Sequence, residues 1–75
     1  MNRFFGLMPE SEVEKHRTFR DAFNILISIE AGPKGYTIIW GDQSTSYEDI
    51  DDTTDNNFKK AYEIADKVVG PLKGV

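Results

Sequence analysis

Residues 23–40 hold two apolar runs that alternate with a period of two, and this pattern restricts the chain to a fold built around an antiparallel hairpin. In the first run Phe23, Ile25, Ile27 and Ile29 fall on one side. Asn24, Ser28 and Glu30 fall on the other, with Leu26 the single apolar exception. Successive strand side chains point to opposite faces, so one face is apolar and the other polar. The second run repeats the pattern, with Tyr36, Ile38 and Trp40 on one side and Thr37 and Ile39 on the other. Both runs are β-branched and aromatic, which suits a pleated surface. Ala31-Gly32-Pro33-Lys34-Gly35 lies between them, and two glycines and a proline in five residues make a hairpin loop.

Upstream, Ser11 and Glu14 have capping-box spacing, and Glu10, Glu12 and Glu14 load an acidic first turn. Val13, His16, Phe19 and Phe23 recur at spacings of three and four. The pattern predicts a helix over 9–21 with a thin apolar stripe. Downstream, residues 44–48 read as a short polar edge strand. A second helix is expected over 54–69, capped by Thr53 or Thr54, with Phe58, Ala61, Tyr62, Ala65, Val68 and Val69 on its apolar face. Gly70-Pro71 stops it. The expected fold is α+β: a single domain, 1–75, with an apolar amino-terminal segment over 1–8 that either tucks against the core or forms an exposed end. A helix over 9–21, a three-stranded antiparallel sheet over 22–48 and a helix over 54–69 follow, with both helices on one face of the sheet. The expected core is Phe23, Ile25, Ile27, Ile29, Ile38, Trp40, Phe58, Tyr62, Ala65 and Val69.

A chain of 75 residues makes one domain. At this size folding buries only about 60% of the unfolded surface. The absence of cysteine excludes disulfides and thiolate metal sites and fits a reducing compartment. The apolar start is too short for a signal-peptide core, and no run approaches the ~20 residues of a membrane span. These features predict a cytoplasmic protein without a membrane partner. The net charge of −4 opposes general nucleic-acid binding.

Little in the sequence carries chemistry. His16 is the one histidine and is read as a helix-surface residue at the core edge rather than a general base or ligand. The acids after residue 41 fit no calcium loop: a loop starting at Asp52 puts Asn57 where glycine is needed, and one starting at Asp49 ends on Lys60. Gly32-Pro33-Lys34-Gly35 precedes no helix start and so cradles no phosphate. No catalytic residue, metal site or cofactor is expected, and the chain is read as non-enzymatic.

The sharpest charge asymmetry is six acids and no base across 42–55: Asp42, Glu48, Asp49, Asp51, Asp52 and Asp55. A row of carboxylates on a rigid scaffold imitates a phosphate backbone and fits a basic groove. Glu48, Asp49, Asp51, Asp52 and Asp55 are therefore the candidate partner-binding residues. The composition resembles that of small acidic inhibitors encoded by phages and mobile elements. The alternative is a solvated loop that protects an edge strand.

The expected order of helix, three strands and helix is similar to that of a double-stranded-RNA-binding domain, with Gly32-Pro33 between strands and Lys59-Lys60 early in the last helix. That resemblance implies duplex binding. This chain departs from the family in lacking the loop histidine and in its acidic approach to the last helix, which opposes phosphate neutralisation. An accessory subunit of a larger assembly is a third possibility. Finally, a sheet covered on one face leaves Leu26 and Ile39 on the other. With Phe4 and Phe5 as additions, this face is a candidate for a homodimer or partner contact.

Overall fold

In the computed structural model, which describes residues 10–74, the two apolar runs are the centre of a larger sheet. Five antiparallel strands, β1 (Lys15–Arg20), β2 (Leu26–Gly32), β3 (Gly35–Trp40), β4 (Gln43–Glu48) and β5 (Lys73–Gly74), lie in the order β4-β3-β2-β1-β5. One helix, α1 (Thr54–Val69), crosses one face and packs chiefly on β2 and β3.

The helix expected over 9–21 does not form. Among the described residues of that range, Glu10–Glu12 make a single 3-10 turn and Lys15–Arg20 become β1. β2 is buried at Ile27, Ile29, Ala31 and Gly32 and needs a hydrogen-bonded neighbour on each edge. β1 supplies one, in a register of six residue pairs from Lys15↔Ala31 to Arg20↔Leu26. Glu14 of the capping-box pair serves this arrangement instead. The Glu14 backbone N–H donates to the Ala31 carbonyl at 2.8 Å, and its carboxylate accepts from the Thr54 hydroxyl at 2.6 Å. Phe19 is buried in either conformation, because as a strand residue it faces Ile27 and meets Tyr62 edge-on at 5.3 Å. The fold is thus α+β, but among the described residues it is a five-stranded sheet with one helix, set between β4 and β5, not a three-stranded sheet flanked by two. The helix–three strands–helix order behind the likeness to double-stranded-RNA-binding domains falls with it. Residues 1–8 and Pro9 lie outside the described residues.

The hairpin is tighter and later than its pattern suggests. Pairing of β2 with β3 runs to Gly32↔Gly35, leaving only Pro33-Lys34 to connect them. Gly32 has to be glycine, because a Cβ there would collide with the Glu12 carbonyl. At the other end β2 starts at Leu26, because residues 21–25 form a turn.

The α1 helix spans the expected residues. The Thr53 hydroxyl accepts from the Asn56 N–H at 3.2 Å, and Gly70 closes the last turn at φ 85° with its N–H on the Asp66 carbonyl. Its buried residues Phe58, Ala61 and Ala65 pack on Phe19, Ile27, Ile29, Ala31 and Tyr36. Of the expected core, Ile27, Ile29, Phe58 and Ala65 are buried, and Ile38, Trp40, Tyr62 and Val69 are half-buried around them. Phe23 and Ile25 are not in the core at all. Among the described residues no helix is long and apolar enough to cross a membrane.

Candidate functional site

At one end of the sheet the turn from β1 to β2 is organised by a carboxylate with no exposed surface, that of Asp21. Its Oδ1 accepts from the backbone N–H groups of Phe23 at 2.8 Å and Ile25 at 2.9 Å, and its Oδ2 accepts from Trp40 Nε1 at 2.8 Å. Backbone bonds from Asn24 N–H to the Asp21 carbonyl and from Asp21 N–H to the Ile25 carbonyl close the turn. Asn24 takes the left-handed conformation at φ 68°, which its short polar side chain tolerates. The Arg20 guanidinium donates to the Asn24 carbonyl at 2.9 Å. Burial alone would raise the Asp21 carboxyl. The three donors, Ile25 N–H, Trp40 Nε1 and Phe23 N–H, outweigh it and hold the group below its ordinary value.

This turn fixes a backbone while leaving its apolar side chains outside. Phe23 is 82% exposed, Leu26 46% and Ile25 42%. The alternation that placed Phe23 and Ile25 with Ile27 breaks at the turn, since a period of two holds only along a strand. Ile25 lies beside the β3–β4 turn, and the Gly41 N–H donates to the Leu26 carbonyl at 3.1 Å. Near this end an open groove of about 130 Å³ runs between β3–β4 and α1, lined by Ile27, Trp40, Thr45, Tyr47, Ile64 and Val68 among others.

The acidic run meets the opposite end, and the structure divides it. Asp49 and Asp52 both grip the Lys60 ammonium, at 2.5 and 2.6 Å. The Lys60 hydrogen bond, helped by the Asn56 side chain and the Thr53 N–H, pulls the Asp52 carboxyl down to about 2, and the two carboxylates push Lys60 up. Asp55 stands 3.6 Å from Lys15. Asn57, fully buried, donates to the carbonyls of Gly32 at 2.8 Å and Asp49 at 3.1 Å and ties the segment to the β2–β3 turn. Asp42, Glu48 and Asp51 are exposed and form no ion pair among the described residues. Asp42 sits at the apolar end, away from the others.

Leu26 and Ile39 lie on the sheet face opposite α1, two positions apart in register, with Ile39 half-buried. Phe4 and Phe5 lie outside the described residues. His16 is exposed on β1 opposite Glu30, and among the described residues no three His, Asp or Glu side chains gather where they could hold a metal ion. Sequence reasoning missed the Asp21–Trp40 pair. Asp21 and Asn24, two turn-forming residues three apart at the head of the apolar run, were the available signal. Compared with known proteins, the chain matches no family model, no curated protein and no solved structure.

Proposed function

We propose that this chain is a non-enzymatic protein-binding module whose contact surface is the corner around Phe23. The observation that carries the proposal is an aromatic ring 82% exposed on a backbone held by four hydrogen bonds within residues 21–25 and by a fifth link to Trp40. Full burial of such a ring against a partner contributes about 1.5–3 kcal/mol. The turn is already ordered, so binding costs little conformational entropy there. Aromatic anchors flanked by aliphatic side chains are the usual energetic centres of protein interfaces. Regulation or inhibition of a larger partner, of the kind supplied by phages and mobile elements, suits a chain of this size.

A second reading keeps the acidic surface, on one observation: Asp42, Glu48 and Asp51 carry exposed charge that no described cation neutralises. Here the chain would occupy a basic surface of its partner, on the strength of these three residues rather than Asp49, Asp52 and Asp55. Self-association through Leu26 and Ile39 is a third arrangement, and sedimentation of the wild type against Ile39→Asp tests it.

Affinity capture from the source cell with wild-type protein and with Phe23→Ser and Asp42→Asn/Glu48→Gln/Asp51→Asn variants separates the first two readings. The proposal expects a partner held by wild type and by the triple variant and lost with Phe23→Ser. Capture that survives Phe23→Ser, or recovery of nucleic acid instead of protein, would overturn it.

A further inference from the structure

We infer that the partner of the Phe23 corner is a protein segment in which an apolar side chain is flanked by carboxylates. This deepens the binding reading above and rests on it. The chain carries a net charge of −4, yet its β1–β5 flank is basic. In register, Lys73 of β5, Arg20 of β1 and Leu26 of β2 form one cross-strand row on the face away from α1. Directly opposite residues share a face, so the row places two cations beside the exposed Leu26. Arg20 uses one donor on the Asn24 carbonyl, which anchors its guanidinium at the turn. The guanidinium carries five donors in all, so the rest remain for an incoming acceptor. Arg17 is exposed on the other face of the strand, over the Phe19 ring, and is not part of this row. Among the described residues no carboxylate pairs with Arg20 or Lys73, and Asp42, the exposed acid at this end, lies in the β3–β4 turn beyond β2 from them. Asp21 is buried on its own donors, and Glu14 is bonded to Thr54.

The corner therefore presents an apolar tip, Phe23 with Ile25 and Leu26, beside a cationic rim. An acidic and apolar partner satisfies both parts at once. A second copy of this chain does not, because a two-fold contact through the corner would bring the cationic flanks of the two copies together. A nucleic acid would answer the cations. It would leave Ile25 and Leu26 against phosphate and sugar, and two cations supply little of the phosphate neutralisation on which such binding depends.

A random-peptide display library selected on wild-type protein and counter-selected on Phe23→Ser tests the inference, followed by anisotropy titrations of the enriched synthetic peptides. Enriched peptides should place Leu, Phe, Trp or Met within a few positions of Asp or Glu. Their binding should weaken at least about tenfold in Phe23→Ser. It should weaken about threefold in Lys73→Glu and at high salt. Arg20→Glu, checked for a native circular-dichroism spectrum, should move the preference toward Lys and Arg. Lys73→Glu contacts nothing at the turn and repeats the test if Arg20→Glu unfolds the corner. Phe23-dependent peptides that are neutral or basic, or that ignore Lys73→Glu and salt, overturn the charge inference and leave the binding corner standing. No Phe23-dependent peptide overturns the corner itself. Phe23-dependent binding of single-stranded oligo-dT or duplex DNA assigns the surface to nucleic acid and overturns both.

Discussion

The two ends of the sheet handle charge in opposite ways. At the β2–β3 end, Asp49 and Asp52 close on Lys60, Asp55 approaches Lys15, and buried Asn57 bridges two carbonyls. Much of the charge that looks conspicuous in sequence is turned inward on itself there. At the β1–β2 end a single buried carboxylate binds three N–H groups, and the apolar side chains are the ones left outside. A run of like charge in sequence is thus a weak guide to a surface, because its members find partners from distant elements. An exposed aromatic on an ordered turn is a stronger guide, because no contact among the described residues explains its position.

The comparison breaks most sharply at Asp21. Asp21→Asn keeps the shape but turns an amide N–H₂ toward Trp40 Nε1 or toward the two backbone donors, so one donor or two lose their acceptor. A fall in unfolding midpoint of about 10 °C or more is expected. Amide exchange should speed up at Phe23 and Ile25 before it does in α1. Equal loss of protection across the whole sheet would show that Asp21 supports global packing rather than the corner.

At the opposite end, Asn57→Leu leaves the Gly32 and Asp49 carbonyls without their donor, at a cost of about 2 kcal/mol or more in urea unfolding. The Phe23 corner should be unaffected, with Trp40 fluorescence unchanged in the folded state. A shift in that fluorescence would mean that the two ends are coupled.

Acid separates the two ends further. Both Asp21 and Asp52 have folded values below the ordinary 3.8, so their contributions are complete above that value and are lost as pH falls through the folded ones. For Asp52 the window runs from 3.8 to about 2. Lys60→Met should shrink the acid-sensitive part of the stability curve within that window and lower the midpoint at neutral pH by only a few °C. An additional Asp21→Asn should shrink the acid-sensitive part further, leaving what the Asn56 side chain and the Thr53 N–H give Asp52. An acid profile indifferent to Lys60→Met would contradict the assignment.

The smallest effect on stability is expected where the largest effect on binding is. Phe23→Ser should change unfolding free energy by no more than about 0.5 kcal/mol, as for an exposed side chain. A much larger loss in urea titration would mean that the ring is buried in solution and is no contact surface.

Local rules determined α1 from the sequence alone. Its apolar spacing, the Thr53 cap and the Gly70 stop all act within a few residues, so no distant contact is needed to place it. The alternation of Ile27, Ile29, Tyr36, Ile38 and Trp40 likewise determined that β2 and β3 pair. Tertiary structure alone decided the rest. Residues 15–20 are compatible with a helix and with a strand, and β2's need for a second hydrogen-bonding edge made them β1. Phe23 and Ile25 continue the apolar alternation and yet lie outside it, because Asp21 turns the chain on the Phe23 and Ile25 N–H groups before β2 begins and is itself held by Trp40, nineteen residues away. Asp49 and Asp52 read as surface charge until α1 brings Lys60 between them. In each case the deciding partner lies on another element, which a periodicity count along one run does not register.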